Sequence, residues 1–123
     1  MMLYQWNILH SWNPALFVQQ NPDSGILDIS WLNDGRESGR PYDFIVRYHD
    51  NRIVYIEVKS TVSNDKACFE FSVGQVVFAQ EKGDQFQLYR VYSAGSPLHV
   101  RLLRIDNVAH RLHTKQLRLF MAI

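Results

Sequence analysis

Two neighbouring runs of strand-forming residues constrain the fold of this chain more than any other feature. They cover residues 42–48 and 52–61 and are rich in Val, Ile, Tyr and Phe. The three residues between them, His49, Asp50 and Asn51, predict that the runs form a β-hairpin. Because opposed residues of antiparallel strands point to the same face, the length of the loop decides which side chains share a face.

A three-residue loop separates apolar from charged residues, and a two-residue loop does not. The longer loop pairs apolar residues with one another: Phe44 with Ile56, and Val46 with Val54. It also sets Asp43 opposite Glu57, with Lys59 one step further along the same face. The shorter loop would set Asp43 opposite Val58 and turn charges toward the core, so the pattern predicts the longer loop.

The predicted register brings two carboxylates and an ammonium group together. Opposed side chains lie about 5 Å apart at Cβ, so Asp43 and Glu57 are candidate ligands of one Mg²⁺ ion, which accepts a few carboxylate oxygens and keeps several waters. Lys59 is the candidate that assists a water beside a phosphodiester. A cross-strand charge cluster on a solvated sheet face explains the same residue types about equally well.

The remaining pattern predicts an α/β domain with a mixed sheet. Strands are expected at residues 26–32, 66–71, 86–92 and 99–105, and short helices at 14–20 and 108–113. A central helix is expected over residues 72–82, because Ser72 and Gln75 fit a capping box and Gly83 is a common helix end. Residues 26–123 are predicted to be one domain, and residues 1–25 are a poorly legible N-terminal segment.

Composition narrows the class of protein. A chain of 123 residues with 46% hydrophobic residues is long enough for one packed core. Cys68 is the only cysteine, which excludes an internal disulfide and a zinc site built on thiolates; its apolar neighbours predict that it is buried. No secretion signal and no apolar stretch of membrane-spanning length is evident, so a soluble intracellular domain is expected. The net charge is +1, with −3 in residues 1–83 and +4 in residues 84–123.

Residues 31–92 resemble the C-terminal domain of the NO VEIN family. The resemblance is carried by the segments Trp31-Leu32-Asn33, Glu37-Ser38-Gly39-Arg40-Pro41-Tyr42-Asp43, Tyr55-Ile56-Glu57-Val58-Lys59-Ser60-Thr61, Phe69-Glu70-Phe71-Ser72 and Tyr89-Arg90-Val91-Tyr92. That family is similar to the PD-(D/E)xK nuclease superfamily, which implies a restriction-endonuclease-like mixed sheet flanked by helices. In that superfamily the acids bind metal and the lysine orients or polarises the attacking water. The resemblance assigns these roles to Asp43, Glu57 and Lys59, with DNA or RNA as substrate. It further implies a place within a larger multidomain protein, in the nucleus or cytoplasm.

Two departures from the family pattern leave a second function open. Family members begin with a long helix that bears a glutamate, whereas no acidic residue precedes Asp23 here, so the first helix is expected to be short or missing. The family also has a glutamate three residues after the serine, where this chain has Gln75. Gln75 either orders a water or phosphate at the site or only closes the capping box. The alternative function is a non-catalytic nuclease-fold module that binds nucleic acid or a protein partner.

Two further groups of residues are candidates for ligand contacts. His110 and His113 lie three apart on a predicted helix and could bind a metal, but the sequence places no third ligand. Six basic residues of the C-terminal part could contact phosphates or could be spaced solvent-facing charges: Arg90, Arg101, Arg104, Arg111, Lys115 and Arg118.

Overall fold

A computed structural model describes residues 25–32 and 40–121 as one mixed sheet with helices. The strands are β1 (Ile26–Trp31), β2 (Phe44–Tyr48), β3 (Ile53–Ser60), β4 (Phe86–Tyr92) and β5 (Arg101–Asp106). The helices are α1 (Val73–Lys82), which runs into a 3-10 turn at Gly83–Gln85, and α2 (Val108–His113). The predicted α/β class with a mixed sheet is confirmed. The predicted helix at 14–20 lies outside the described residues.

The five strands lie side by side in chain order, and only one neighbouring pair is parallel. β3 and β4 run parallel, whereas β1–β2, β2–β3 and β4–β5 are antiparallel. A parallel pair needs a long crossover connection, and α1 lies in that connection. The carboxyl ends of β3 and β4 therefore lie next to each other at the same end of the sheet. Neither helix in the described part of the chain is long and apolar enough to cross a membrane.

The hairpin of β2 and β3 has the predicted three-residue loop. Phe44 pairs with Ile56, and the Tyr48 N–H donates to the carbonyl of Arg52 over 2.9 Å. Asn51 has φ +69°, a left-handed conformation that asparagine adopts more readily than most residues. This register places the apolar side chains of both strands on one face of the sheet.

The two faces of the sheet carry separate apolar clusters. The first cluster consists of Phe44, Val46, Val54, Ile56, Val58, Tyr89, Val91 and Ala94. The second lies on the opposite face against the helices and consists of Ala79, Phe86, Leu88, Ile105 and Val108. The rings of Tyr42 and Tyr55 pack on Phe78 of α1, at centroid distances of 5.0 and 5.1 Å. The face that bears Glu57 is therefore covered by helices and is not the solvated face that the charge-cluster interpretation requires.

Helix α1 begins and ends as its sequence predicts. The Ser72 hydroxyl accepts from the Gln75 N–H over 3.1 Å, and the Gln75 side-chain oxygen accepts from the Ser72 N–H over 3.0 Å. Gly83 caps the C-terminus with φ +56°, a conformation that glycine adopts without steric cost. The reciprocal bonds satisfy two donors that would otherwise lack partners at the start of the helix.

The strand predicted at residues 66–71 is wrong. This segment has no regular structure, and the carbonyl oxygens of Lys66 and Cys68 accept from the guanidinium of Arg90 over 2.6 and 3.4 Å. An arginine side chain thus takes the carbonyl acceptors that a neighbouring strand would use. Cys68 is exposed, so the expected burial of its thiol is also wrong.

The capping box predicts a measurable loss of stability in Ser72→Ala. Removing the hydroxyl leaves the Gln75 N–H without its acceptor, so the free energy of unfolding should fall by about 1 kcal/mol. Val73→Ala is the matched control, because Val73 follows in the same helix turn with 81% of its surface exposed, and it should change stability much less. Urea unfolding followed by circular dichroism measures both. Equal stability of Ser72→Ala and the wild type would contradict the role of the cap.

Candidate active site

Asp43 lies where the regular pairing of β2 with β3 ends. Its N–H donates to the carbonyl of Ile56 over 2.8 Å, and its own carbonyl accepts from the Leu32 N–H over 2.9 Å. Its carboxylate oxygen Oδ2 accepts from the Val58 N–H over 2.8 Å. In a continued antiparallel ladder, a backbone carbonyl of the neighbouring strand would accept from that N–H. The side chain therefore takes the place of a ladder bond, and this fixes the carboxylate against β3.

Glu57 and Lys59 share the helix-covered face of β3. Glu57 is 5% exposed, and its Oε1 lies 3.5 Å from Nζ of Lys59. The Asp43 carboxyl lies close enough for its charge to act on Glu57. The Lys59 ammonium lies 5.9 Å from the ring centroid of Phe71. The structure thus brings together the three residues that the sequence predicted to meet, in a buried position beside β4.

Burial and the neighbouring carboxyl raise the pKa of Glu57 to about 8 from its ordinary value of 4.5. Desolvation is the largest cause and the charge of Asp43 is the next, and both disfavour the ionised form. The charge of Lys59 and its hydrogen bond lower the pKa but do not outweigh the two opposing effects. Near neutral pH, the Glu57 carboxyl is therefore protonated.

Gln75 is buried, but its side-chain oxygen is engaged at the helix start. That oxygen accepts from the Ser72 N–H in the capping box, so its position is explained without a bound water or phosphate. The geometry therefore supports the interpretation in which Gln75 caps the helix. A role for its amide at the site remains a prediction.

Arg90 is the residue whose position the sequence did not reveal. It is 2% exposed and pairs in register with Lys59 across β3 and β4. Its guanidinium lies between the rings of Phe69 and Tyr92, at 5.0 and 5.3 Å from their centroids. Interpreting this arginine as a solvent-facing charge is wrong. The available signal was the alternation of β4, which places Arg90 on the same face as the buried Leu88.

The other candidate ligands do not form a metal site in the described residues. No group of three or more His, Cys, Asp or Glu side chains within 25–32 and 40–121 is arranged to hold a metal ion. His110 and His113 thus gain no third ligand from this part of the chain. Asp43 and Glu57 form a pair of protein carboxylates, so any ion they hold must complete its coordination elsewhere.

The raised pKa predicts that Glu57 makes stability depend on pH. The folded chain keeps the Glu57 proton up to about pH 8, whereas an unfolded glutamate loses it near pH 4.5. The folded state therefore binds more protons in this window, and the free energy of unfolding should fall as pH rises through it. Without metal, the loss from about pH 5 to about pH 8 should be on the order of 3 kcal/mol.

Glu57→Gln is the variant that isolates this effect, because an amide of the same shape has no proton to lose. Urea unfolding in a chelating buffer should show a flatter pH dependence for Glu57→Gln than for the wild type. Glu81→Gln, an exposed change on α1, is the control and should keep the wild-type slope. Parallel pH profiles of wild type and Glu57→Gln would contradict the buried proton.

Comparison with known proteins places the chain in a family. It is 38% identical over 68 residues to Protein NO VEIN-LIKE and 37% identical over 68 residues to Protein NO VEIN, both from Arabidopsis thaliana. Each match covers 55% of this chain but only 10% and 2% of the respective relative, so both relatives are far longer. No solved structure matches the chain. The family model described as Protein NO VEIN, C-terminal, matches residues 15–103, and the chain therefore belongs to the NO VEIN C-terminal domain family.

Proposed function

We propose that this chain is a metal-dependent nuclease-like domain that hydrolyses phosphodiester bonds of nucleic acid. The observation that carries the proposal is the cluster of the buried Asp43 and Glu57 with the partly buried Lys59, which the hairpin register assembles beside the parallel pair β3–β4. Two buried carboxyl groups facing each other are costly for a sheet interior that apolar residues could fill. Such clusters with strongly shifted pKa values are concentrated at functional sites. The proposal includes a restriction-endonuclease-like arrangement of the sheet and helices.

The donor set of the cluster fits Mg²⁺. This ion is commonly held by one or two protein carboxylates, and waters and substrate phosphate oxygens complete its coordination. Burial and the charge of Asp43 keep Glu57 protonated near neutral pH, even with Lys59 at 3.5 Å, so a divalent cation between the two carboxyl groups would favour their ionised forms. Asp43 and Glu57 are the residues that would hold the ion. When bound, Mg²⁺ would neutralise charge that develops on the phosphate.

In this proposal the two acids hold the metal ion, and Lys59 acts on the water and the phosphate. Asp43 is oriented by the hydrogen bond that its carboxylate accepts from the Val58 N–H. Lys59 donates hydrogen bonds that orient the attacking water and stabilise negative charge on the phosphate oxygens. The water oxygen bonds to phosphorus as a phosphorus–oxygen ester bond breaks. The attacking water releases one proton to solvent, and the departing oxygen takes one proton from solvent. Phe71 against Lys59 limits the positions that the ammonium can adopt.

A second candidate function is a non-catalytic module of the same fold that binds nucleic acid or a protein partner. Two observations favour it. The Gln75 oxygen is engaged in the capping box, and the described residues supply no third carboxylate to the pair. In this case the buried proton of Glu57 would be a structural feature, and metal binding would be absent.

Metal binding separates the two functions. Isothermal titration calorimetry of the wild type with Mg²⁺ or Mn²⁺ should show binding that is lost in Asp43→Asn. The asparagine oxygen can still accept from the Val58 N–H, so this variant should fold, but its neutral side chain is a poorer ligand for a divalent cation. Asp84→Asn, a change at an exposed acid, is the control. No heat of binding in the wild type would favour the non-catalytic module.

Cleavage tests the role of Lys59. The wild type should cut labelled single- or double-stranded DNA or RNA only when Mg²⁺ or Mn²⁺ is present. Lys59→Ala should lower the rate by about a hundredfold or more, since it removes a donor aimed at developing charge. Lys66→Ala removes an exposed lysine nearby and should cut at the wild-type rate. Measurable cutting by a folded Lys59→Ala protein at that same rate would overturn the assignment of this residue.

A further inference from the structure

A diagonal row of cations crosses three neighbouring strands on the helix-covered face. Lys59 of β3 pairs in register with Arg90 of β4, and Arg101 of β5 pairs with Tyr92, two residues beyond Arg90. The Tyr92 ring lies between the two guanidinium groups, with Arg101 4.3 Å and Arg90 5.3 Å from its centroid. Positive charge therefore continues from the candidate active site toward the carboxyl ends of β3 and β4.

No carboxylate of the described residues forms an ion pair with Arg90. None of the ion pairs between described residues involves Arg90 or Arg101. Arg90 donates instead to two backbone carbonyls, and its buried Nε has no hydrogen-bond partner in the described part of the chain. A buried guanidinium stays protonated, so its field extends to the surface beside it and attracts anions.

An open groove lies at the end of this row. It has a volume of about 530 Å³ and is formed by the loops that follow β3 and β4 together with the start of β5. Its lining residues are Val62, Asn64, Ser93, Ser96, His99 and Arg101. Hydroxyl, imidazole and guanidinium groups can all donate hydrogen bonds, and no carboxylate is found among the described residues that line the groove. A crevice at the carboxyl ends of strands is also where open α/β sheets bind their ligands.

We propose that this groove binds the phosphate backbone of a nucleic-acid strand beside the bond held at Asp43 and Glu57, with Arg101 as its main contact. The inference rests on the proposed function and deepens it by assigning a path to the substrate. Tyr92 lies two residues beyond Arg90, about 7 Å along the strand. Successive phosphates of one strand advance about 3.4 Å each along a duplex axis. The groove would therefore hold phosphates of the same strand beyond the reacting bond.

The affinity for oligonucleotides in the absence of divalent metal tests the groove separately from cleavage. Fluorescence anisotropy in a chelating buffer would follow labelled oligo-dT and oligo-U of about 20 nucleotides, a length that exceeds common single-strand site sizes. Arg101→Gln should weaken binding about fivefold and should flatten the dependence of log affinity on log salt by about 0.7, the loss of one phosphate contact. His99→Ala, a second change in the groove, should weaken binding about twofold.

Arg104→Gln is the matched control. It removes the same charge from the same strand, but Arg104 pairs with Tyr89 and lies on the opposite face of the sheet. Circular dichroism verifies the fold of each variant. Weaker binding in Arg101→Gln and His99→Ala, with wild-type binding in Arg104→Gln, supports the groove. Loss of affinity for only one of the two oligonucleotides would still support it and would show whether the groove binds DNA or RNA. No binding by the wild type at low salt, or equal losses in Arg101→Gln and Arg104→Gln, would overturn it.

The two proposals fail independently in these experiments. The oligonucleotide titration contains no divalent metal, so a chain that binds no Mg²⁺ and cuts nothing can still show the Arg101 effect. Conversely, metal-dependent cutting with unchanged affinity in Arg101→Gln would keep the nuclease proposal and remove the groove.

Discussion

The hydrogen bond from the Val58 N–H to the Asp43 carboxylate joins the architecture of the sheet to its chemistry. At 2.8 Å it closes the β2–β3 hairpin at the point where regular strand pairing ends. The bond forms in the register of the three-residue loop, in which Phe44 pairs with Ile56 and Asp43 lies where the paired region ends. A slip of one residue would turn Glu57 and Lys59 to the other face. One loop length therefore determines both the apolar core and the position of the charged cluster.

The charged cluster of Asp43, Glu57 and Lys59 contains two acids and one cation. Asp43 and Glu57 are buried on the helix-covered side, and Lys59 lies near them, yet the pKa of Glu57 remains at about 8. Arg90 adds a second buried cation, but its guanidinium turns to the carbonyls of Lys66 and Cys68 and to two aromatic rings. Among the described residues, Arg90 thus forms no ion pair with Asp43 or Glu57.

The position of the cluster follows from the one parallel strand pair. A parallel connection must cross over the sheet, and α1 with the segment before it forms this crossover. In that segment, Phe71 contacts the Lys59 ammonium and Phe69 contacts the Arg90 guanidinium. Both rings also pack against the apolar cluster on the helix-covered face. The crossover therefore shields Lys59 and Arg90 from water, which strengthens their electrostatic interactions. The loops after β3 and β4 then open into a groove at the same end.

The amino-acid sequence by itself determined the hairpin register, the capping of α1 and the α/β class, because these depend on local patterns. The alternation of apolar residues in 42–48 and 52–61 excludes the other register, and Ser72, Gln75 and Gly83 specify the helix ends. Only the tertiary structure decided that residues 66–71 form no strand, that Arg90 is buried, and that the charged face lies under helices. These properties depend on which distant segments pack together, as when Arg90 takes the carbonyls of a segment more than twenty residues away. A sequence pattern carries no such information, since a strand-forming run needs an available partner before it can be a strand.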